Sequence, residues 1–388
     1  MMDKQQLDAY FEAHREEMVR DICRLVRIRS DRSDPKPGMP YGEGPAKALA
    51  EAMEIAREMG LSVTNYDNYV CTADLNGSPT ELDILAHLDV VPVSDGWTVT
   101  APFAPLEKDG RLYGRGAADD KGPAVAALYA VKAVKDLGVP LSKNVRVILG
   151  TDEECGSSDL DYYYAREKEA PKSFPPDADF PLINLEKGGL RGRFTASWTE
   201  DRALPRLVSA DGGTKLNVVP DKASALVEGL DREVLARCCE AVSAETGISY
   251  AVYEENGCLR IDAKGTGAHA ASPQEGNNAV TGLLRLLVSL PLADCEGFRR
   301  LKAVESAFPH GDWLGKAAGV AMKDDLSGET TLSFDIFRYS LTGLEGQFDC
   351  RASILANDEN LRDVIKARLA EGGVELAPCS VFAAHHVP

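Results

Sequence analysis

The sequence is short of positive charge, of long apolar runs and of paired cysteine spacings, and each shortage removes a class of function. Lys and Arg number 43 against 61 Asp and Glu, a formal net charge of −18. Phosphate backbones are bound by Lys- and Arg-rich faces, so this balance argues against a nucleic-acid partner. No apolar run approaches the roughly 20 residues that cross a bilayer, and the stretch from Met1 to Ile28 is too charged for a secretory signal. No membrane partner is expected. The nine cysteines are odd in number, only Cys238 and Cys239 are close, and no C-x-x-C occurs. A zinc ribbon and a disulfide framework are thereby disfavoured, and free thiols point to a reducing cytoplasm. Internal repeats and low-complexity tracts are missing too. The surplus acid either serves solubility or gathers in part around metal ions.

What is present is an ordinary globular balance, and 388 residues suggest two domains. Near the N-terminus, Leu7, Tyr10, Phe11, Met18, Ile22, Leu25 and Val26 fit one face of a helix. Asp31 to Glu43, rich in Pro and Gly, reads as a surface loop. Ile84–Pro92 and Asn144–Thr151 read as buried strands, Gly122–Leu137 as a helix of Ala and Val, and Pro181–Leu185 as a short third strand. Strand–helix–strand order predicts an α/β domain: a mixed, mostly parallel sheet covered by helices. After Glu186-Lys187-Gly188-Gly189 the texture changes. Arg191–Trp198, Ser224–Val227, Leu259–Ala263, Thr331–Phe337, Gln347–Leu355 and Gly372–Ala384 read as strands, and Asn278–Leu290 and Asn360–Leu369 as helices. That pattern predicts a second, α+β domain with an antiparallel sheet.

Four segments carry chemistry. In AHLDVVP, His87 and Asp89 stand two apart at the end of a buried strand, so both side chains face one way. Asp89 could hold the far nitrogen of a metal-bound imidazole, or the pair could be a structural accident. In GRGAADDKGP, Asp119 and Asp120 precede a helix start; dipole stabilisation explains one Asp better than two. In GTDEECG, Asp152, Glu153 and Glu154 leave a strand together, and crowded carboxylates call either for a cation or for open solvent. PPDADFP adds Asp177 and Asp179 in what could be an ordinary polar loop. Together, imidazole and carboxylates at strand ends of one α/β unit suit zinc, or manganese or cobalt by the same ligand logic. A bridging carboxylate would make a two-metal hydrolytic site.

These segments, with Asn217 in LNVVPD and His269 in GTGAHAASPQEGNNA, resemble the metallopeptidase family that includes acetylornithine deacetylase, succinyl-diaminopimelate desuccinylase and carboxypeptidase G, and within it the PepV-type dipeptidases. The similarity runs from about residue 7 to the end. It implies two zinc ions: His87 and Asp177 on one, Asp119 bridging, Glu154 on the other. It implies Glu153 as general base, Asp89 orienting His87, and a cis peptide between Asp119 and Asp120. It makes the second domain a lid inserted in the catalytic domain. There His269 would polarise the scissile carbonyl, Asn217 would touch substrate, and Arg351 would clamp the substrate carboxylate with its planar fork. Residues 1–186 would then be catalytic, 187–382 lid, and 383–388 the start of a return to the first domain.

Relatives of this type carry, after the lid, a GGGTYAR-like segment and a last His ligand. Neither occurs before the sequence ends at His385-His386-Val387-Pro388, and His14, His310, His385 and His386 are poor substitutes. The expectation is a C-terminally truncated chain whose Glu154 ion keeps only Asp119 and Glu154, with weak or absent dipeptidase activity. The alternatives are an N-acyl-amino-acid deacylase and an inactive fragment or pseudoenzyme. The large lid favours a monomer over a dimer.

Overall fold

The computed structural model describes residues 3–93, 96–178 and 181–388. They form two compact units, Met1–Leu182 and Ile183–Pro388. In the first, α1 (Lys4–Val26) and α2 (Glu43–Glu58) precede β1 (Ser62–Tyr66), β2 (Val70–Asp74) and β3 (Thr80–His87). A hairpin of β4 (Leu106–Lys108) and β5 (Arg111–Tyr113) then leads to α3 (Lys121–Asp136), β6 (Asn144–Gly150), α4 (Ser158–Tyr164) and β7 (Lys172–Phe174). The sheet runs β1-β2-β6-β3-β7. It is mixed: β3 lies parallel to both β6 and β7, while β1–β2 and β2–β6 are antiparallel.

Local sequence explains these elements. Asp3 caps α1 through the Gln5 N–H, and the Gln6 side chain returns to the Asp3 N–H, a reciprocal capping box. The α3 run KGPAVAALYAVKAVKD is dominated by Ala and Val without a breaker in its interior, and Ala124, Val125, Leu128 and Val131 are buried. They share one core with Leu49, Ala52, Met53 and Ile55 of α2 and with Ala73, Ile84, Val147 and Leu149 of the sheet. On the other face, Val70, Ile148 and Tyr163 of α4 form a smaller cluster. The last four residues of β6 are all buried, as a strand covered on both faces must be.

The second unit contains β8 (Leu185–Glu186), β9 (Gly188–Ser197), β10 (Arg206–Gly212), β11 (Val218–Val219), β12 (Lys222–Glu228), α5 (Arg232–Thr246), β13 (Ser249–Glu255), β14 (Cys258–Lys264) and β15 (Ala268–His269). There follow α6 (Ala279–Ser289), α7 (Glu296–Ala307), β16 (Lys323–Asp324), β17 (Gly328–Glu329), β18 (Thr331–Ser340), β19 (Gly343–Ala352), α8 (Asp363–Glu371), β20 (Glu375–Leu376) and β21 (His385–His386). Eight strands form one antiparallel sheet, β13-β14-β12-β10-β18-β19-β9-β20. Alternation along β12 turns Ala223, Ala225 and Val227 inward, where they meet Leu283, Leu284 and Leu287 of α6.

One reading of the sequence needs correction. Pro181–Leu185 does not supply the third strand of the first sheet; Lys172–Phe174 does, and Leu185 and Glu186 pair with His386 and His385. A short, exposed strand such as KSF carries too little apolar pattern to be found by periodicity.

Leu128 is fully buried in the first core, and shortening it to Ala is expected to cost about 2–5 kcal/mol in urea unfolding. In the second unit His310 is enclosed, with Nδ1 3.0 Å from the Thr281 hydroxyl and Nε2 3.3 Å from the Thr246 carbonyl. Burial depresses its pKa, against a smaller opposing pull from the Thr246 carbonyl and Glu245. The unfolded chain therefore takes up the proton first as pH falls, and stability present above about pH 6.5 is lost below it. Urea midpoints at about pH 7.5 and about pH 5.5 should differ less in His310→Asn than in the parent.

Candidate metal centre

The parallel register of β3 and β6 sets His87 beside Gly150, so the loops leaving both strands start at one edge. The Leu88 N–H donates to Gly150 O at 3.0 Å, which keeps the loops together for another residue. Asp89, 1% exposed, then joins them. Its carboxylate accepts the Glu153 N–H at 3.2 Å and the Glu154 N–H at 3.1 Å, and its Oδ1 stands 3.3 Å from His87 Nδ1. The Asp89 carbonyl is a second partner for that nitrogen at 3.1 Å. His87 Nε2 is thereby turned outward.

Three carboxylates meet it. Asp119 Oδ1 is 3.1 Å from Nε2, Asp177 Oδ2 3.6 Å and Glu153 Oε2 3.8 Å. His87, Asp119 and Asp177 each offer a donor atom within 4.8 Å of the others. Among the described residues no second group of three donors gathers around Glu154. Asp179 lies outside the described residues.

The neighbours of Asp119 are fixed from behind. The Asp119–Asp120 peptide is cis. Asp120 is fully buried; its Oδ2 accepts the His87 N–H at 3.0 Å, while its Oδ1 has no partner among the described residues. Lys121, also fully buried, donates to the Leu25 and Ile28 carbonyls at the C-terminal end of α1, at 3.1 and 2.7 Å. Helix carbonyl ends favour a cation there. Gly122 admits a close approach: a Cβ would lie 2.0 Å from the Ala117 carbonyl oxygen. The turn after β6 is equally braced. Asp152 is buried against Arg32 at 2.6 Å and takes the Ser158 N–H at 3.3 Å; Asp159 accepts the Thr151 and Asp152 N–H groups at 2.6 and 3.2 Å.

The charges are out of balance without a cation. Burial opposes a charge on His87, but contacts with Asp119, Asp177 and Asp89 outweigh it and push its pKa well above the histidine range. Contact with His87 holds Asp119 low. Desolvation, then Asp119, pushes Glu154 up to about 7, and desolvation pushes Asp120 up to about 8. An imidazole and several carboxylates crowded together with too little positive charge are a donor set that fits a divalent cation.

In the second unit, Val218 pairs with His269, which brings Asn217 and His269 onto one short ladder. Asn217 takes a left-handed backbone, φ +85°, donates its N–H to buried Asp335 at 3.0 Å and accepts the Ala270 N–H at 2.9 Å. His269 Nδ1 accepts the Ala271 N–H at 3.1 Å, so the neutral ring carries its proton on Nε2 and presents a donor. Arg351 has its Nε and Nη2 on Asp349 of its own strand, at 2.9 and 3.3 Å. Its fork is thus partly committed. The sequence shows no sign of Arg32, Asp159 or Asp335 and no role for Lys121; Arg32 and Asp335 act on Asp152 and Asn217, segments distant in sequence.

Fold and donor set define a metal-dependent hydrolase of mixed α/β architecture. The model of peptidase family M20/M25/M40 matches residues 84–386, and the chain belongs to that family. It is 36% identical over 362 residues to "Putative dipeptidase YtjP" of Bacillus subtilis, covering 91% of this chain and 77% of that protein. It is 31% identical over 352 residues to "Beta-Ala-Xaa dipeptidase" of Lactobacillus delbrueckii subsp. lactis, covering 89% and 72%. Human carnosine dipeptidase 1 shares the fold: TM-score 0.51 at 17% identity, over 98% of this chain and 80% of that one. Within the family the chain therefore stands among the metallodipeptidases.

Asp89→Asn keeps the shape but removes the charge that steadies both His87 and the Glu153–Glu154 turn. Such partners of a metal ligand are worth about 10–100-fold in affinity, and a loss of that size is expected in calorimetric zinc titration.

Proposed function

We propose that the chain hydrolyses dipeptides with the help of divalent cations, zinc first and manganese or cobalt as alternatives; His87, Asp119 and Asp177 would hold one, and Asp119 with Glu154 a second. The observation that carries this reading is the meeting of Asp119, Asp177 and Glu153 around one outward-facing nitrogen of His87. The dipeptidase names of its relatives support the same substrate class. A divalent cation in such a cluster polarises a carbonyl and makes water acidic near neutral pH.

The residues divide the remaining work. Glu153 takes the proton of the attacking water and returns it to the leaving amine. Desolvation raises its pKa, and Asp177, Asp89 and Asp119 add to that against His87, so its carboxylate is a stronger base than a free one. Asp89 keeps His87 aimed. His269 donates from Nε2 to the substrate carbonyl oxygen, Asn217 contacts substrate, and Arg351 receives the substrate carboxylate through the part of its fork that Asp349 leaves free. Among the described residues Asp119 and Glu154 are the donors offered to a second cation, fewer than the three offered to the first, so the second would be held more weakly. The chain works as a monomer in a reducing cytoplasm, which its nine free cysteines suit.

Zinc titration is expected to show one tight and one much weaker site; two equally tight sites would overturn the ligand assignment. Glu153→Gln should retain the tight zinc and lose about 10²–10⁴-fold in kcat on dipeptides. Faster cleavage of N-acyl amino acids than of dipeptides would favour the deacylase reading.

A further inference from the structure

We propose that the first unit carries, beside the metal cluster, a pocket built on Arg115 and Trp97 that selects substrates whose side chain ends in a carboxylate. The inference rests on the dipeptide reading above and names its substrate class. A cavity of about 370 Å³ is lined by Trp97, Thr98, Val99, Thr100, Tyr113 and Arg115. That volume far exceeds what a Gly or Ala side chain would fill.

Its walls are fixed by the backbone. The Arg115 N–H donates to Pro102 O at 2.7 Å, the Thr100 hydroxyl to Ala104 O at 2.6 Å, and the Ala117 N–H folds back to Gly114 O at 3.2 Å. The same Gly-rich loop carries Arg115 at its start and Asp119 at its end, so pocket and cluster share one support. The guanidinium carbon lies 5.5 Å from the centre of the Trp97 ring, within reach of a cation–π attraction that favours holding it at this wall.

The cations that brace the metal cluster are engaged elsewhere. Lys121 serves the α1 carbonyls and Arg32 serves Asp152. Arg115 has no such partner among the described residues, and its buried Nε makes no hydrogen bond there. An unpaired fork in a chain of net charge −18 matches a carboxylate in bidentate geometry. The indole and Val99 give apolar walls for the methylenes that precede the carboxylate. Aspartyl and glutamyl dipeptides have this form.

The test compares two dipeptides that differ only in Glu against Gln, on the full chain supplied with zinc. Binding is read by intrinsic fluorescence, to which Trp97 contributes as one of three tryptophans, and turnover by kcat/KM. The parent is expected to prefer the Glu peptide by about tenfold or more in both Kd and kcat/KM, a charge-assisted pair being worth at least about 1.4 kcal/mol. Arg115→Gln should bring both ratios near one, and Trp97→Phe should remove the fluorescence change. Equal handling of the two peptides by the parent overturns the pocket, even if Arg115→Gln does not fold. Preference for Glu in binding with neither peptide cleaved would leave the pocket standing and overturn the dipeptidase reading. Cleavage of both without preference does the reverse.

Discussion

The buried carboxylate of Asp89 is the contact on which the centre depends. It is removed from water almost completely, and such a charge is tolerable only when donors surround it. Here the donors are the backbone of Glu153 and Glu154 and the far side of the His87 ring. One side chain thus converts the register of two parallel strands into a fixed spacing between an imidazole and two acids. The twofold use is economical because β3 and β6 already bring the loops to one edge; Asp89 has only to join ends that the sheet has delivered. Ligand sites at the carboxyl ends of parallel strands follow from this geometry in general.

The second constraint is electrostatic. Asp119, Asp120, Glu153, Glu154 and Asp177 cannot all be ionised at close quarters in a half-buried cleft without a compensating charge. Lys121 lies nearby, but burial brings its pKa down to about 7, and its ammonium is turned to the end of α1. That arrangement serves packing of α1 against α3. It does not turn a lysine toward the acids, and Glu154 and Asp120, pushed up first by desolvation and then by neighbouring carboxylates, keep only the opposing pull of His87. The requirement for an external divalent ion is therefore written into where Lys121 points as much as into the ligands themselves.

How much of this was legible in the sequence differs by residue. The sequence placed His87 at the end of a buried strand, but only the resemblance joined it to Asp119 and Asp177, which the fold gathers within 4.8 Å of one another. The strands around Ile84 and Val147 and the helix from Lys121 were legible because short branched apolar runs and an Ala- and Val-rich stretch mark them. Lys172–Phe174 was not, since a fully exposed edge strand of three residues has no pattern. The bracing of the site was hidden for another reason. Arg32 meets Asp152 across 120 positions, and Ser30 meets Leu88 across 58, so no local rule could pair them. Glu153 and Glu154, adjacent in sequence, part company in the fold: Glu153 comes within 3.8 Å of His87 Nε2.

The pairing of His269 with Val218 extends the same lesson to the second unit. LNVVPD and GTGAHAASP look like independent loops, each with one polar residue worth noting. Their two-residue ladder makes them one object, and the left-handed turn at Asn217 is held by buried Asp335 from the middle of the sheet. The proton on His269 is then decided by the Ala271 backbone, which occupies Nδ1 and leaves Nε2 as the outward donor. A histidine that must donate to a carbonyl gains from a fixed tautomer, because no ring reorientation is needed when charge develops on that oxygen. A backbone amide two residues away thus fixes the chemical character of a side chain that the sequence could show only as a letter.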